Sequence, residues 1–145
     1  AGEVSGHIFF NDNWYGFDDA VYASLRVLEE INRRKININI FLSSLPKHFI
    51  TPEIRIDCEE AQKFKIIDKI KSQVINDYKK ENIIQIDGIR ASSENGWFLI
   101  RASNTQAAII IRAEGKTKKY LEEIMMKISK YFEGVNINWS QRKNS

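Results

Sequence analysis

The sequence predicts an α+β fold whose C-terminal part is a two-layer domain of order β-α-β-β-β-α, with an antiparallel four-stranded sheet. Three observations predict it. Short apolar runs at 53–57, 83–87, 96–102 and 107–114 have strand length and turn-forming neighbours. Apolar residues recur at helical spacing over 59–80 and 117–132. Both prolines of the chain fall within Leu45–Glu53 and divide it.

Totals set the frame. The chain has 145 residues, 43% hydrophobic and 28% charged, so a packed core is possible and wholesale disorder is excluded. A net charge of +3 favours anionic ligands without demanding nucleic acid. Cys58 is the single cysteine, which rules out an intrachain disulfide and suits the cytoplasm. No apolar run reaches bilayer length, so no membrane partner is expected. AGEVSGHIFF lacks the basic start of a signal peptide and lacks a Met, and reads as the start of a fragment.

In chain order, His7–Phe10 (HIFF) is a strand candidate and NDNWYG a turn. Asp18 or Asp19 then caps a helix running to Arg33, with Val21, Leu25, Leu28 and Ile31 as its buried stripe. The Ile/Asn alternation of Lys35–Ser44 permits a strand, but Asn39 can cap a short helix through Leu45, and that reading is preferred. The division expected is therefore 1–45, a linker at 46–52, and a domain at 53–145. Within that domain Ile54 and Ile56 share one strand face. The following helix presents Phe64, Ile67, Ile70, Val74 and Tyr78 inward and its lysines to solvent. IIQID, GWFLIRA and AAIIIRAE are the next three strands, and hairpin loops at 92–96 and 103–106 make them antiparallel. Leu121, Ile124, Met125, Ile128 and Phe132 line the last helix, with Gly134 as its C-cap. Both helices must cover the same sheet face.

Two polar segments are candidate sites. In RASNT, Arg101 ends a strand and Ser103, Asn104 and Thr105 add hydroxyl and amide donors. A phosphate wants convergent donors and one planar cation, which arginine supplies. On residue types alone, an ordinary hairpin with Asx/Ser turns is the simpler reading. GEVSGH (Gly2–His7) places Glu3, Ser5 and His7 between glycines. A carboxylate accepts from vicinal sugar hydroxyls, and an imidazole can bind or carry a proton. A flexible polar terminal loop is the simpler reading here too. No metal ligand set is expected. His7 and His48 are far apart in sequence, and Asp18-Asp19 reads as a helix start. P-loop and dinucleotide glycine motifs are absent, as is a stacking platform among Trp14, Trp97 and Trp139. Cys58 is expected near the core.

Together, GEVSGHIFFNDNWYGFDDAVYASLRVLE, LPKHFITPEI, DGIR and GWFLIRASNT resemble the C-terminal part of the α-D-phosphohexomutases, phosphomannomutase/phosphoglucomutase type. GEVSGH is similar to that family's sugar loop GEMSGH, with Val4 for methionine, and RASNT to its phosphate loop. The resemblance implies a TBP-like last domain preceded by the end of an α/β third domain. It implies hexose phosphate and hexose bisphosphate as ligands. Glu3 and Ser5 would bind sugar hydroxyls, with His7 a ligand or proton carrier, and Arg101, Ser103, Asn104 and Thr105 would hold phosphate. The family's phosphoserine and Mg²⁺ loop belong to its N-terminal domains. No such motif stands in this sequence, so the fragment is expected to be inactive by itself and to work with those domains. Gln106-Ala107 departs from the family's usual continuation TTP, which leaves Gln106 without a role. The competing expectation is a non-enzymatic anion- or RNA-binding module, since small basic α+β domains can serve that way.

Overall fold

A computed structural model describes residues 1–3, 6–135 and 137 and the backbone of 143–144. The chain forms two compact units, Ala1–Pro46 and Lys47–Ser145.

The first unit contains two helices, α1 (Ala20–Arg34) and α2 (Ile38–Ser44). Asp19 caps α1, its carboxylate accepting the Tyr22 N–H at 2.9 Å. Asn37, not Asn39, caps α2, because its side-chain oxygen reaches the N–H groups of Asn39 and Ile40. HIFF does not form the expected strand. It makes only the isolated bridges Gly2↔Ile8 and Phe9↔Asp18. The loop before α1 is instead held by rings. Trp14 stacks on Tyr22 with centroids 4.2 Å apart, Phe10 meets the same ring edge-on, and Arg26 lies over Phe10. The expected burial of the α1 stripe does not occur within this chain. Val21 is 72% exposed and Leu28 61%, and of the α1 residues only Ala23 is buried. Two helices and a loop offer no sheet layer to receive that stripe.

The second unit contains β1 (Phe49–Ile50), β2 (Ile54–Asp57), α3 (Lys63–Asp77), β3 (Ile83–Ile84), β4 (Ile89–Ser93), β5 (Gly96–Ala102), β6 (Ala108–Gly115), α4 (Lys118–Tyr131) and β7 (Lys143–Asn144). The sheet order is β3-β4-β5-β6-β2-β7, with β1 also on β6 and every pair antiparallel. Its four longest strands, β4-β5-β6-β2, make the expected four-stranded antiparallel sheet. Alternation sends Ile54, Ile56, Ile89, Ala91, Phe98, Ile100, Ile109, Ile111 and Ala113 to one face, where they are at most 3% exposed. Ile66, Ile67, Ile70 and Val74 of α3 and Ile124 and Ile128 of α4 close over that face. Cys58 packs at the edge of this core, where burial pushes its thiol pKa up.

Three details differ from the sequence reading. The segment expected as a linker contains β1, and Thr51 is tied into the sheet. Its N–H donates to Ala113 O, and its hydroxyl accepts the Ala113 N–H. Helix α3 is shorter than expected, and one member of its expected inner stripe faces out while Ile67, Ile70, Val74 and Tyr78 pack on the core. Phe64 is 60% exposed, while Ile66 and Lys63 point inward. Of IIQID only Ile83–Ile84 is strand, Ile86 being 93% exposed; the core strand is β4, which begins after the turn at Gly88. Gly88 has φ +79°, and a Cβ there would stand 2.2 Å from Ile100 O, so the chain reverses at this point and cannot extend IIQID.

Candidate functional site

Strand alternation decides what β5 offers to a ligand. Phe98, Ile100 and Ala102 face the core, so Trp97, Leu99 and Arg101 must face away from the helices. On that open face Arg90 lies over the Trp97 ring, 4.7 Å from its centroid. Arg101 stands near the end of β5, and its guanidinium Nη1 is 3.4 Å from Asp87 Oδ2. Asp87 belongs to the Gly88 turn, so that reversal supplies the carboxylate that holds Arg101 at the strand's end.

The chain then makes the loop 103–107 between β5 and β6. Ser103 closes it from within: its N–H donates to Ala108 O at 2.8 Å, and its Oγ accepts the Gln106 N–H at 3.2 Å. Ser103 is thus 6% exposed, whereas Asn104 and Thr105 are exposed. Arg101, Asn104 and Thr105 form the open part of the expected phosphate site, with Ser103 as its floor. Gln106 acquires a role: its side-chain oxygen accepts from Arg55 Nη1, and Arg55 also pairs with Glu53 at 2.7 Å. Through this side-chain bond Gln106 ties the loop to β2.

In the first unit, backbone bonds tie Glu3 to Gly6 and His7. Glu3 N–H donates to His7 O and Gly6 N–H to Glu3 O, with Gly6 at φ +91°. His7 is exposed, and its Nδ1 lies 2.5 Å from Asp18 Oδ2; the other oxygen of Asp18 accepts the Ile8 N–H at 3.2 Å. The Asp18 hydrogen bond, with its charge, raises the His7 pKa above 6.5, and His7 lowers that of Asp18. His7 Nδ1 is therefore committed to Asp18, leaving Nε2 for a ligand. Glu3 is exposed beside it, and Ser5 and Trp139 lie outside the described residues.

Sequence reasoning missed Asp18 as the orienter of His7, Asp87 as the partner of Arg101, and Lys63 beneath the loop. Only Lys63 left a signal. It falls on the same helical stripe as Ile66, Ile67, Ile70 and Val74, where a solvated lysine does not belong. Among the described residues no group of three or more His, Cys, Asp or Glu side chains converges as a metal site. No described helix is long and apolar enough to cross a membrane.

Residues 53–130 match the family model described as "Phosphoglucomutase/phosphomannomutase, C-terminal domain". The chain belongs to the phosphoglucomutase/phosphomannomutase family. Residues 1–49 of this family member match the description of its "alpha/beta/alpha domain III". A phosphomannomutase/phosphoglucomutase of Pseudomonas putida is 40% identical over 124 residues, which cover 86% of this chain and 26% of that protein. A phosphoglucomutase of Neisseria meningitidis serogroup A is 37% identical over 141 residues, covering 96% of this chain and 30% of that one. A crystal structure of a phosphoglucomutase/phosphomannomutase family protein from Burkholderia thailandensis superposes with a TM-score of 0.78 at 33% identity, covering 94% of this chain and 29% of that one. The chain thus spans less than a third of these relatives. Membership disfavours the RNA-binding expectation.

Proposed function

We propose that this chain is the sugar- and phosphate-reading end of a phosphohexomutase that interconverts hexose 1-phosphate and hexose 6-phosphate of the glucose or mannose series. The observation that carries this is Arg101, a half-exposed guanidinium standing at the strand end beside the exposed loop residues Asn104 and Thr105. One planar cation next to amide and hydroxyl donors is what a phosphate monoester dianion requires.

Arg101, Asn104 and Thr105 bind the phosphate oxygens, and the Ser103 hydroxyl, having accepted the Gln106 N–H, keeps its own proton to donate. Glu3, Ser5 and His7 read sugar hydroxyls, with Glu3 as acceptor. His7, held protonated more readily by Asp18, donates from Nε2 or passes a proton to a sugar oxygen. A clamp that accepts a phosphate at either end of a bisphosphorylated sugar lets each oxygen face the nucleophile in turn, and positioning accounts for much of phosphoryl-transfer catalysis. The phosphoserine and the Mg²⁺ that stabilises phosphoryl charge belong to other segments of the enzyme, so the chain alone binds without turnover. We place it in the cytoplasm, which suits a sugar-phosphate substrate and one unpaired thiol.

An NMR titration with glucose 6-phosphate, with mannose 6-phosphate and with single-stranded RNA tests this. Sugar phosphate is expected to shift the amides of Arg101–Thr105. Arg101→Gln should weaken that binding by roughly 10- to 100-fold, the value of a charge-assisted pair of bonds. Shifts elsewhere only, or tighter and salt-sensitive RNA binding, would defeat the reading.

A further inference from the structure

Lys63 opens α3 yet is 3% exposed. Its Nζ donates to Ser103 O at 2.9 Å and lies 3.5 Å from Gln106 O, so it gathers both ends of the loop 103–106. It also pairs with Glu60 at 2.5 Å, a carboxylate that is itself 64% exposed. A buried ammonium needs such acceptors, and here two of the three are loop carbonyls.

Peptide geometry makes this consequential. The peptide bonds are trans, and C=O and N–H of one planar trans peptide point in opposite directions. Turning the Ser103 carbonyl toward Lys63 therefore turns the Asn104 N–H away from it. The Gln106 carbonyl does the same for the Ala107 N–H. Among the described residues, no protein acceptor takes the N–H of Asn104, Thr105 or Ala107. Two of the loop's carbonyl dipoles, those of Ser103 and Gln106, meet on the buried cation, and the loop's free N–H groups are left for an anion.

We propose that Lys63 is a positioning residue for anion recognition, fixing the loop so that the amides of Asn104 and Ala107 join Arg101 in binding a phosphate. The inference rests on the loop being a phosphate site. A backbone cradle of this kind accepts any phosphate monoester, and the choice of sugar is left to other residues.

The test uses this chain with glucose 6-phosphate, followed through the amide shifts of 104, 105 and 107, in Lys63→Met, Lys63→Arg, Glu60→Gln and Arg101→Gln. Lys63→Met should weaken binding by about 10-fold, with Lys63→Arg recovering part of the loss. Glu60→Gln leaves both loop carbonyls on Lys63 and keeps an amide acceptor at the exposed position, so binding should stay within about 2-fold of the wild type. If Lys63→Met binds like the wild type while Arg101→Gln does not, the loop is a phosphate site and the role of Lys63 falls. Without any shift in the wild type, both readings fall. Should Lys63→Met fail to fold, Lys63→Arg decides, and affinity and amide shifts there identical to the wild type's overturn the proposal.

Discussion

Nδ1 of His7 and Oδ2 of Asp18 stand 2.5 Å apart, although the two residues belong to segments of quite different character. His7 sits in a glycine-bounded loop, and Asp18 just precedes the cap of α1. The bridge Phe9↔Asp18 and the Ile8 N–H bond to Asp18 bring them together. One carboxylate thus braces the backbone after His7 and orients its ring.

Asp18→Asn should lower the His7 pKa toward 6.5, measured by NMR titration of the imidazole. Because the folded value is raised, the contribution of the pair to stability is fully present below the unfolded His pKa. It is lost as pH rises through the folded one. The variant should erase that pH dependence, and a His7 titration unmoved by the substitution would count against the pair.

Gly88→Ala should be strongly destabilising. The alanine Cβ would meet Ile100 O at 2.2 Å in a backbone of φ +79°. Strain and clash together are worth on the order of 2–4 kcal/mol, read as a lower urea midpoint. Because the same turn presents Asp87 to Arg101, the Arg101 amide should shift as well.

Phe98→Ala should cost roughly 3–5 kcal/mol, since a large ring 1% exposed is removed from between Tyr78 and Tyr131. Phe64→Ala, on the exposed side of α3, should cost less than about 1 kcal/mol. Urea unfolding of the two variants checks the helix phase, and equal losses would contradict it.

Tyr131 OH donates to Asp77 Oδ2 at 2.7 Å and joins α4 to α3. This bond, together with Lys127, lowers the Asp77 pKa below 3.8. Such a carboxylate contributes stability above its unfolded pKa and loses it as pH falls through the folded one. Tyr131→Phe should cost about 1–2 kcal/mol at neutral pH, discounted for the half-exposed carboxylate. The difference should shrink as pH falls below 3.8, and a pH-independent difference would show the bond is not to an ionised Asp77.

Most of the second unit was legible in the sequence because period-2 and period-3.6 patterns are local. The strands of GWFLIRA and AAIIIRAE and the helix of KKYLEEIMMKISKY follow from alternation and spacing. The core strand β4 was not legible. IRASS has a single large apolar residue, and the more strand-like IIQID before it drew the assignment. For α3 the spacing gives Ile67, Ile70, Val74 and Tyr78 correctly and fails only at Phe64, which is more apolar than the lysine buried beside it.

Taken alone, the sequence determined the fold class, the order of its layers and the two polar segments proposed to meet a ligand, since these depend on residue type and short-range period. Tertiary structure decided what those segments can do. Asp87 reaches Arg101, Lys63 reaches Ser103 and Arg55 reaches Gln106 across gaps of 14, 40 and 51 positions. Partners so distant are brought together by sheet register and helix packing, and no local pattern encodes them. The same physics gave Gln106, which breaks the family's loop motif, a bond to β2 that sequence comparison could not supply.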